Sequence, residues 1–308
     1  MRLFAEQLEQ ARQEELELDE QIPLSLADGR YLTISNEIPR GINSWEIKTY
    51  TRMGGAAVIL TSATGVPVTN RTVQKISVPV YPIRVGFEVT QEDLETMEAL
   101  DNVNLLVENL GDNRQALNQK LDLVAYTGEV GTSLQGIANV PNVATIDFPD
   151  DGAGASVAWA DKTPAQVLRD LNLLAFKVPE QTALTKYVNR ILMPATKLIY
   201  LQSTPYNDER GESILSVFHR NQAELGANAI NEVYGHPALE DLGEAGAGLM
   251  IAYNTASRHN RLHIPQGGEF RDIDPPSVIG TTWTITCQMK TAGVEVRKPL
   301  EIAYANVE

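Results

Sequence analysis

Residues 90–141 limit what this chain can fold into more than any other stretch. They begin TQEDLETMEALDNVNLLVENLGDNRQALNQKLDLVAYTGE and run into a glycine-punctuated coda, VGTSLQGIANVPNV. Thr90 has the chemistry of an N-cap. Asp93, three residues on, makes a capping-box-like start, with acids in the first turn facing the helix dipole. Leu94, Met97 and Leu100 recur at helical spacing, as do Val103, Leu106 and Leu110 and, after Gly111, Leu117, Leu121 and Val124. A continuous helix here is about 54 Å long at roughly 1.5 Å rise per residue, longer than most globular helices. It reads as a spine with other elements laid against it, and Gly111 is the expected point of any bend or break.

Upstream of the spine the chain is too thin to bury itself. Residues 1–20 hold two basic and seven acidic residues, and Phe4, Leu8 and Ala11 make only a narrow apolar stripe on a short helix. Residues 21–43, with Pro23, Gly29, Pro39 and Gly41, read as an extended arm. Residues 44–89 read as β structure. Trp45 and Ile47 alternate with Glu46 and Lys48, Gly54-Gly55 is a turn or bend, residues 57–60 form a short apolar strand and residues 73–80 return. Tyr81, Ile83, Val85, Phe87 and Val89 then alternate with Pro82, Arg84, Gly86 and Glu88 and lead straight into Thr90. A two-stranded excursion is marginal alone in water. Arm and excursion both need an outside surface.

Downstream, residues 147–154 (DFPDDGAG) form an acidic linker. A helix near Thr163 follows, with Pro164 in its first turn and Val167, Leu168, Leu171, Leu174 and Ala175 inward. Residues 189–193 read as a buried strand, 194–201 and 212–220 as short helices, and 230–234 and 249–253 as strands. Residues 260–275 look irregular. Residues 281–289 alternate, with Trp283, Ile285, Cys287 and Met289 on one side, and residues 294–296 and 300–304 alternate again. The fold class is α+β.

The chain has 308 residues and a formal charge of −15. Such acidity repels nucleic acid over most of a surface and argues against DNA binding as the main task. The single cysteine, Cys287, permits no intrachain disulfide and reads as core packing. No apolar run reaches the roughly 20 residues that span a bilayer, so no membrane partner is expected. There is no GK dipeptide, no GxGxxG and no GxSxG. Glycines 243, 246 and 248 read as a flexible loop. His259 and His263 are four apart, but Arg258 and Arg261 beside them oppose a divalent cation, so they read as a basic surface patch meeting a neighbour's carboxylates. His219 reads as a helix-end residue and His236 as a turn. The acidic pairs Asp150-Asp151 and Asp272 with Asp274 lack contrasting environments for acid–base work. No catalytic residue, cofactor or metal site is expected, and the chain does not read as an enzyme.

Residues 126–143 (YTGEVGTSLQGIANVPNV) resemble the segment that follows the spine helix in tailed-bacteriophage major capsid proteins of the Hong Kong 97 fold, which encapsulins share. The matching residues are Leu121-Asp122, Gly128, Gly136-Ile137, Asn139 and Pro141-Asn142-Val143, with Asn142 where many relatives have glycine. Residues 293–304 (GVEVRKPLEIAY) resemble the closing strand pair of that family, with Glu301 where a small residue is frequent. The resemblance implies an N-terminal arm (1–43), an extended loop lying on the adjacent subunit (44–80), a peripheral domain with the spine helix (81–150), an axial domain (151–289), and C-terminal strands returning to the peripheral domain (290–308). It implies an icosahedral head shell of pentamers and hexamers of this chain around double-stranded DNA, assembled in the bacterial host cytoplasm. Scaffolding, portal and decoration proteins are the other partners it brings. Subunit interfaces are expected at Phe4 and Leu8 on the arm, at Trp45, Arg52, Gly54, Gly55, Asn70, Arg71 and Lys75 on the loop, and at Arg84 on the strand after it. Only some forty residues precede the loop, so scaffolding is expected as a separate protein or as the arm's own task. Lys75 is the only lysine between Lys48 and Lys120, which argues against isopeptide crosslinking from the loop. An encapsulin-like nanocompartment and, more remotely, a soluble α+β enzyme or binding protein are the competing readings.

Overall fold

The computed structural model describes residues 31–53, 70–100, 104–207, 211–230, 232–255, 260–266 and 271–308. After a short strand β1 (Thr33–Ser35) come the paired strands β2 (Ser44–Met53) and β3 (Asn70–Pro79), then β4 (Tyr81–Thr90). Two helices follow, α1 (Gln91–Leu100) and the long α2 (Asn104–Thr127), then β5 (Ala144–Ile146) and α3 (Pro164–Gln181). Next are β6 (Arg190–Pro194), α4 (Ala195–Ser203), the small pair β7 (Pro205–Asn207) and β8 (Glu212–Ser213), and α5 (Ile214–Ala223). Apart from short 3-10 turns, strands follow: β9 (Glu232–His236), β10 (Gly248–Tyr253), β11 (Asn260–His263), β12 (Arg271–Ile279), β13 (Thr282–Thr291), β14 (Val294–Val296) and β15 (Ile302–Val307). β11 and β12 fall where the sequence looked irregular. β11 pairs with β1 and β14, distant in the chain or beyond β13, and β12 carries a register shift, so local alternation did not announce them.

A five-stranded sheet, in the order β5-β15-β10-β6-β9, is the wall between two apolar cores. Successive side chains on a strand face opposite ways, and here the two faces feed different cores. Leu249, Ile251 and Tyr253 of β10, with Ile302 and Tyr304 of β15 and Leu192 of β6, join the core around α2. Met250 and Ala252, with Ala303, Ala305, Ile191 and Met193, join the core around α3 and α5. Both faces are buried, so these strands read as continuous apolar runs.

The first core is closed by a second sheet, β12-β13-β4. β4 pairs antiparallel with β13 along its whole length, from Tyr81 opposite Thr291 to Thr90 opposite Thr282. Residues 271–291 therefore stand beside the strand that precedes the spine. α2 lies against the inner face, with Leu106, Leu110, Leu117 and Leu121 buried among Val89, Ile285, Cys287 and Met289. Cys287 is buried and free, as packing required. Gly111 sits inside α2 with helix on both sides, so it does not break the spine; two helices are described instead, on either side of residues 101–103.

The capping read from the sequence is present. The Thr90 N–H donates to Asp93 Oδ2 (3.0 Å) and the Asp93 N–H donates to Thr90 Oγ1 (3.2 Å). The Thr90 hydroxyl also donates to Asp93 Oδ2 (2.7 Å), and this bond, followed by that from the Thr90 N–H, holds the Asp93 carboxyl below its usual range. Thr163 and Gln166 make a capping box on α3, with Pro164 at its first position. In the second core a fully buried ion pair joins Lys162 Nζ to Asp170 Oδ2 (2.6 Å) and anchors that helix to the preceding loop.

Candidate assembly interface

β2 and β3 form a two-stranded sheet of their own, in register from Ser44 opposite Pro79 to Met53 opposite Asn70. Among the described residues, its root meets the body. Ile38, Val80 and Ala292 are buried together, with Trp45 and Val78 packed against them. The Val80 N–H donates to the Asn43 carbonyl (2.9 Å), closing the root. Farther out, the register sets Lys48 opposite Lys75 and Arg52 opposite Arg71. Like charges directly opposite each other destabilise a strand pair. Glu46 offsets part of this, 3.3 Å from Lys75, but both side chains are about 60% exposed (62% and 60%), and such pairs contribute little. The ribbon is thus a cationic limb on an acidic protein.

The exposed acids nearest the spine lie on its outer side. Glu92, Asp93 and Glu95 on α1 and Glu108 and Asp112 on α2 are all exposed. No basic residue stands in the last turn of either helix.

The end of α2 is held by the coda. The Ile137 and Ala138 N–H groups donate to the carbonyls of Ala125 (2.8 Å) and Tyr126 (2.9 Å), satisfying the last turn of the helix. Asn139 accepts from the Gly136 N–H (2.7 Å) and donates to the Thr127 carbonyl (2.7 Å). A Cβ on Gly136 would meet the Tyr126 carbonyl at 2.3 Å, so the chain closes here only with glycine. Asn142 has φ +62°, a left-handed conformation that asparagine tolerates better than most side chains. The C-terminal strand fixes the same loop: the Tyr304 hydroxyl accepts from the Val140 N–H (3.2 Å) and donates to the Ile137 carbonyl.

The family described as major capsid protein matches residues 54–307. The chain belongs to the major capsid protein family. Among solved structures it is similar to the capsid of the myovirus phage XM1 (TM-score 0.75, 17% identity, 93% of this chain and 92% of that one). It is also similar to a Mycobacterium phage Ogopogo chain (TM-score 0.58, 13% identity, 91% of each). A virus-like particle from Pyrococcus furiosus gives TM-score 0.54 at 12% identity, over 98% of this chain and 99% of that one. No curated protein matches in sequence. The expected α+β Hong Kong 97 architecture is met, and the family is that of a shell-forming capsid subunit.

In this capsid subunit the sequence-derived interface residues do not form one patch. Trp45 is half-buried at the hairpin root, whereas Asn70, Arg71 and Lys75 are exposed along β3. Arg52 lies opposite Arg71 in register, and Arg84 is exposed on β4 opposite Gln288. Phe4, Leu8, Gly54, Gly55 and the strand expected at 57–60 lie outside the described residues. Lys48 belongs with this set, and the signal that finds it is the register opposite Lys75, which no single-strand pattern contains.

Two histidine expectations change. His263 is on a strand, buried in β11, and its Nε2 faces Glu295 of the same chain, so it is no part of a surface patch. His259 lies outside the described residues. His236 ends β9, and its Nδ1 accepts from the Ala238 N–H (3.1 Å), stopping the strand with a side-chain cap; burial pushes this imidazole's pKa down. Among the described residues no group of three histidine, cysteine or acidic side chains gathers as a metal site, and no helix is long and apolar enough to cross a membrane.

Proposed function

We propose that this subunit builds the icosahedral head of a tailed phage around double-stranded DNA, without catalysis, through contacts that the β2–β3 ribbon makes on the next subunit. The observation that carries the reading is the ribbon itself: among the described residues, two strands with no third, apposed like charges, and only a root in the core. Its cations Lys48, Arg71 and Lys75, with Arg52, Asn70 and Arg84, meet the acidic ridge of Glu92, Glu95, Glu108 and Asp112 on a neighbouring copy. Phe4 and Leu8 of the arm, and Trp45, Gly54 and Gly55 of the loop, complete the contact. In the division this implies, residues 1–43 are the arm and 44–80 the extended loop. Residues 81–150 with β12 and β13 form the peripheral part, and the α3–α5 core forms the axial part. Pentamers and hexamers of one chain close the shell, and scaffolding, portal and decoration proteins are its further partners. The site of action is the virion, after assembly in the bacterial host cytoplasm.

A charge swap tests the contact. Arg71→Glu with Lys75→Glu is expected to abolish shells at moderate salt, and adding Glu92→Lys with Glu95→Lys is expected to restore them, as scored by electron microscopy. Normal shells from the first variant, or no rescue in any combination with the ridge acids, would reject the pairing. A genome-free nanocompartment is the second reading, favoured by the full-length fit to the Pyrococcus furiosus virus-like particle.

A further inference from the structure

The turn that seats the ribbon is tied to a buried charge cluster. Ala292, which the ribbon root packs against, lies between β13 and β14. His263 of β11 brackets this turn with its main chain. Its carbonyl accepts from the Ala292 N–H (3.0 Å) and the Thr291 hydroxyl (3.2 Å), and its N–H donates to the Gly293 carbonyl (3.1 Å). Its side chain, 1% exposed, faces Glu295, which is 4% exposed, so the facing Nε2 carries the proton and donates to one carboxylate oxygen. The other oxygen accepts from Arg297 Nε. One carboxylate therefore joins β11, β14 and the turn under the ribbon.

The root also borders open space, beside its contact with Ala292. A cleft of about 370 Å³ lies between Ile47, Ser77 and Val78 of the ribbon, Gln135 of the coda, and Glu295 and Arg297. The root thus packs on Ala292 and has free space beside that contact.

The charged and titratable groups around Glu295 are few. His263 faces it from β11 and Arg297 from beyond the end of its own strand. Arg261, opposite it in β11, is engaged by Glu37 of the arm segment (2.7 Å). Ile47, Ser77 and Val78 of the ribbon root and Ser133, Gln135, Val140, Pro141 and Asn142 of the coda line the cleft, none of them ionisable. Beyond Arg297, Lys298 pairs with Glu301 (3.8 Å) and Lys186 with the same carboxylate (3.6 Å). We propose that the His263–Glu295–Arg297 cluster is a charge latch that sets the angle of the β2–β3 ribbon, and that acid opens it, letting the ribbon swing into the cleft while both cores stay folded.

The sign follows from the surroundings of the carboxyl. Burial by itself raises the Glu295 pKa, but the hydrogen bonds from His263 and Arg297 outweigh it and hold it below the usual glutamate range. A depressed carboxyl contributes stability that is fully present above its unfolded value and is lost as the pH falls through its folded one. The latch is closed at neutral pH and opens on the acid side of the ordinary glutamate range.

Amide hydrogen exchange on full-length, unassembled subunits, corrected for intrinsic rates, tests this from neutral pH into that range. Wild-type amides at the ribbon root are expected to lose protection before those of β10 and β15. Glu295→Gln is expected to exchange roughly tenfold or more faster at the root already at neutral pH, with no acid step. Arg297→Gln keeps the histidine contact and is expected to move the acid step to higher pH; it decides the matter if Glu295→Gln does not fold. Wild-type-like root protection in Glu295→Gln, an unmoved acid step in Arg297→Gln, or simultaneous loss at root and central sheet in wild type would each overturn the latch.

Discussion

At Gly136 the main chain passes close enough to the end of α2 that a single methyl group has nowhere to go. Its Cβ would meet backbone at Tyr126 and Gly128, which a flexible neighbour cannot relieve. Gly136→Ala is therefore expected to destabilise the unassembled subunit by about 2–4 kcal/mol, at the upper end for single substitutions, read as a lower urea midpoint. Asn142 gives the opposite case. Its φ of +62° is strained for any L side chain but open to glycine, and Asn142→Gly is expected to change stability by less than about 1 kcal/mol, because relief of strain and added unfolded-state freedom oppose each other. A large loss there would mean that the asparagine side chain has its own task. Both positions were visible in the sequence as a family-like coda. The physical reason for the glycine was not, because the close approach is made by residues eight and ten positions upstream.

At the scale of elements, what could be read and what could not divides along one line. Helices that supply their own signals were legible: Thr90 with Asp93 for α1, and Thr163 with Pro164 for α3. Strands with one buried face, β4 and β13, were legible from alternation. β11 and β12 were not, since β11 takes its identity from pairing with β1 and β14, and β12 carries a register shift between Ile273 and Ser277 that breaks its period. The ribbon's cationic character was half-legible: each Arg and Lys was in view, but their apposition depends on register. Because the described part of the ribbon meets the body at its root, removing residues 54–72 is expected to leave a soluble subunit with both cores intact that closes no shells. Circular dichroism and a sizing column check the fold, and electron microscopy checks the shells. Normal particles after that deletion would remove the ribbon's outer half from the assembly contact.

The whole molecule carries a charge of −15 and yet, as proposed, encloses a polyanion. Two ways of keeping DNA inside differ in their response to salt. Retention by protein–phosphate pairs weakens steeply, by about a thousandfold or more between roughly 50 and 200 mM salt when several phosphates are neutralised. Retention by a closed wall does not depend on salt as long as the wall holds. With 25 basic against 40 acidic residues, and with the exposed cations of the ribbon assigned to neighbouring subunits, this chain has little left to grip phosphate. Native particles are therefore expected to show strong ultraviolet absorbance in the nucleic-acid band and to keep it when re-isolated from high salt. Loss of that absorbance from shells that remain closed in micrographs would show that the inner surface binds DNA by charge after all. Its absence from native particles from the start would instead favour the genome-free compartment, because the same wall, with the same ribbon and latch, encloses either content.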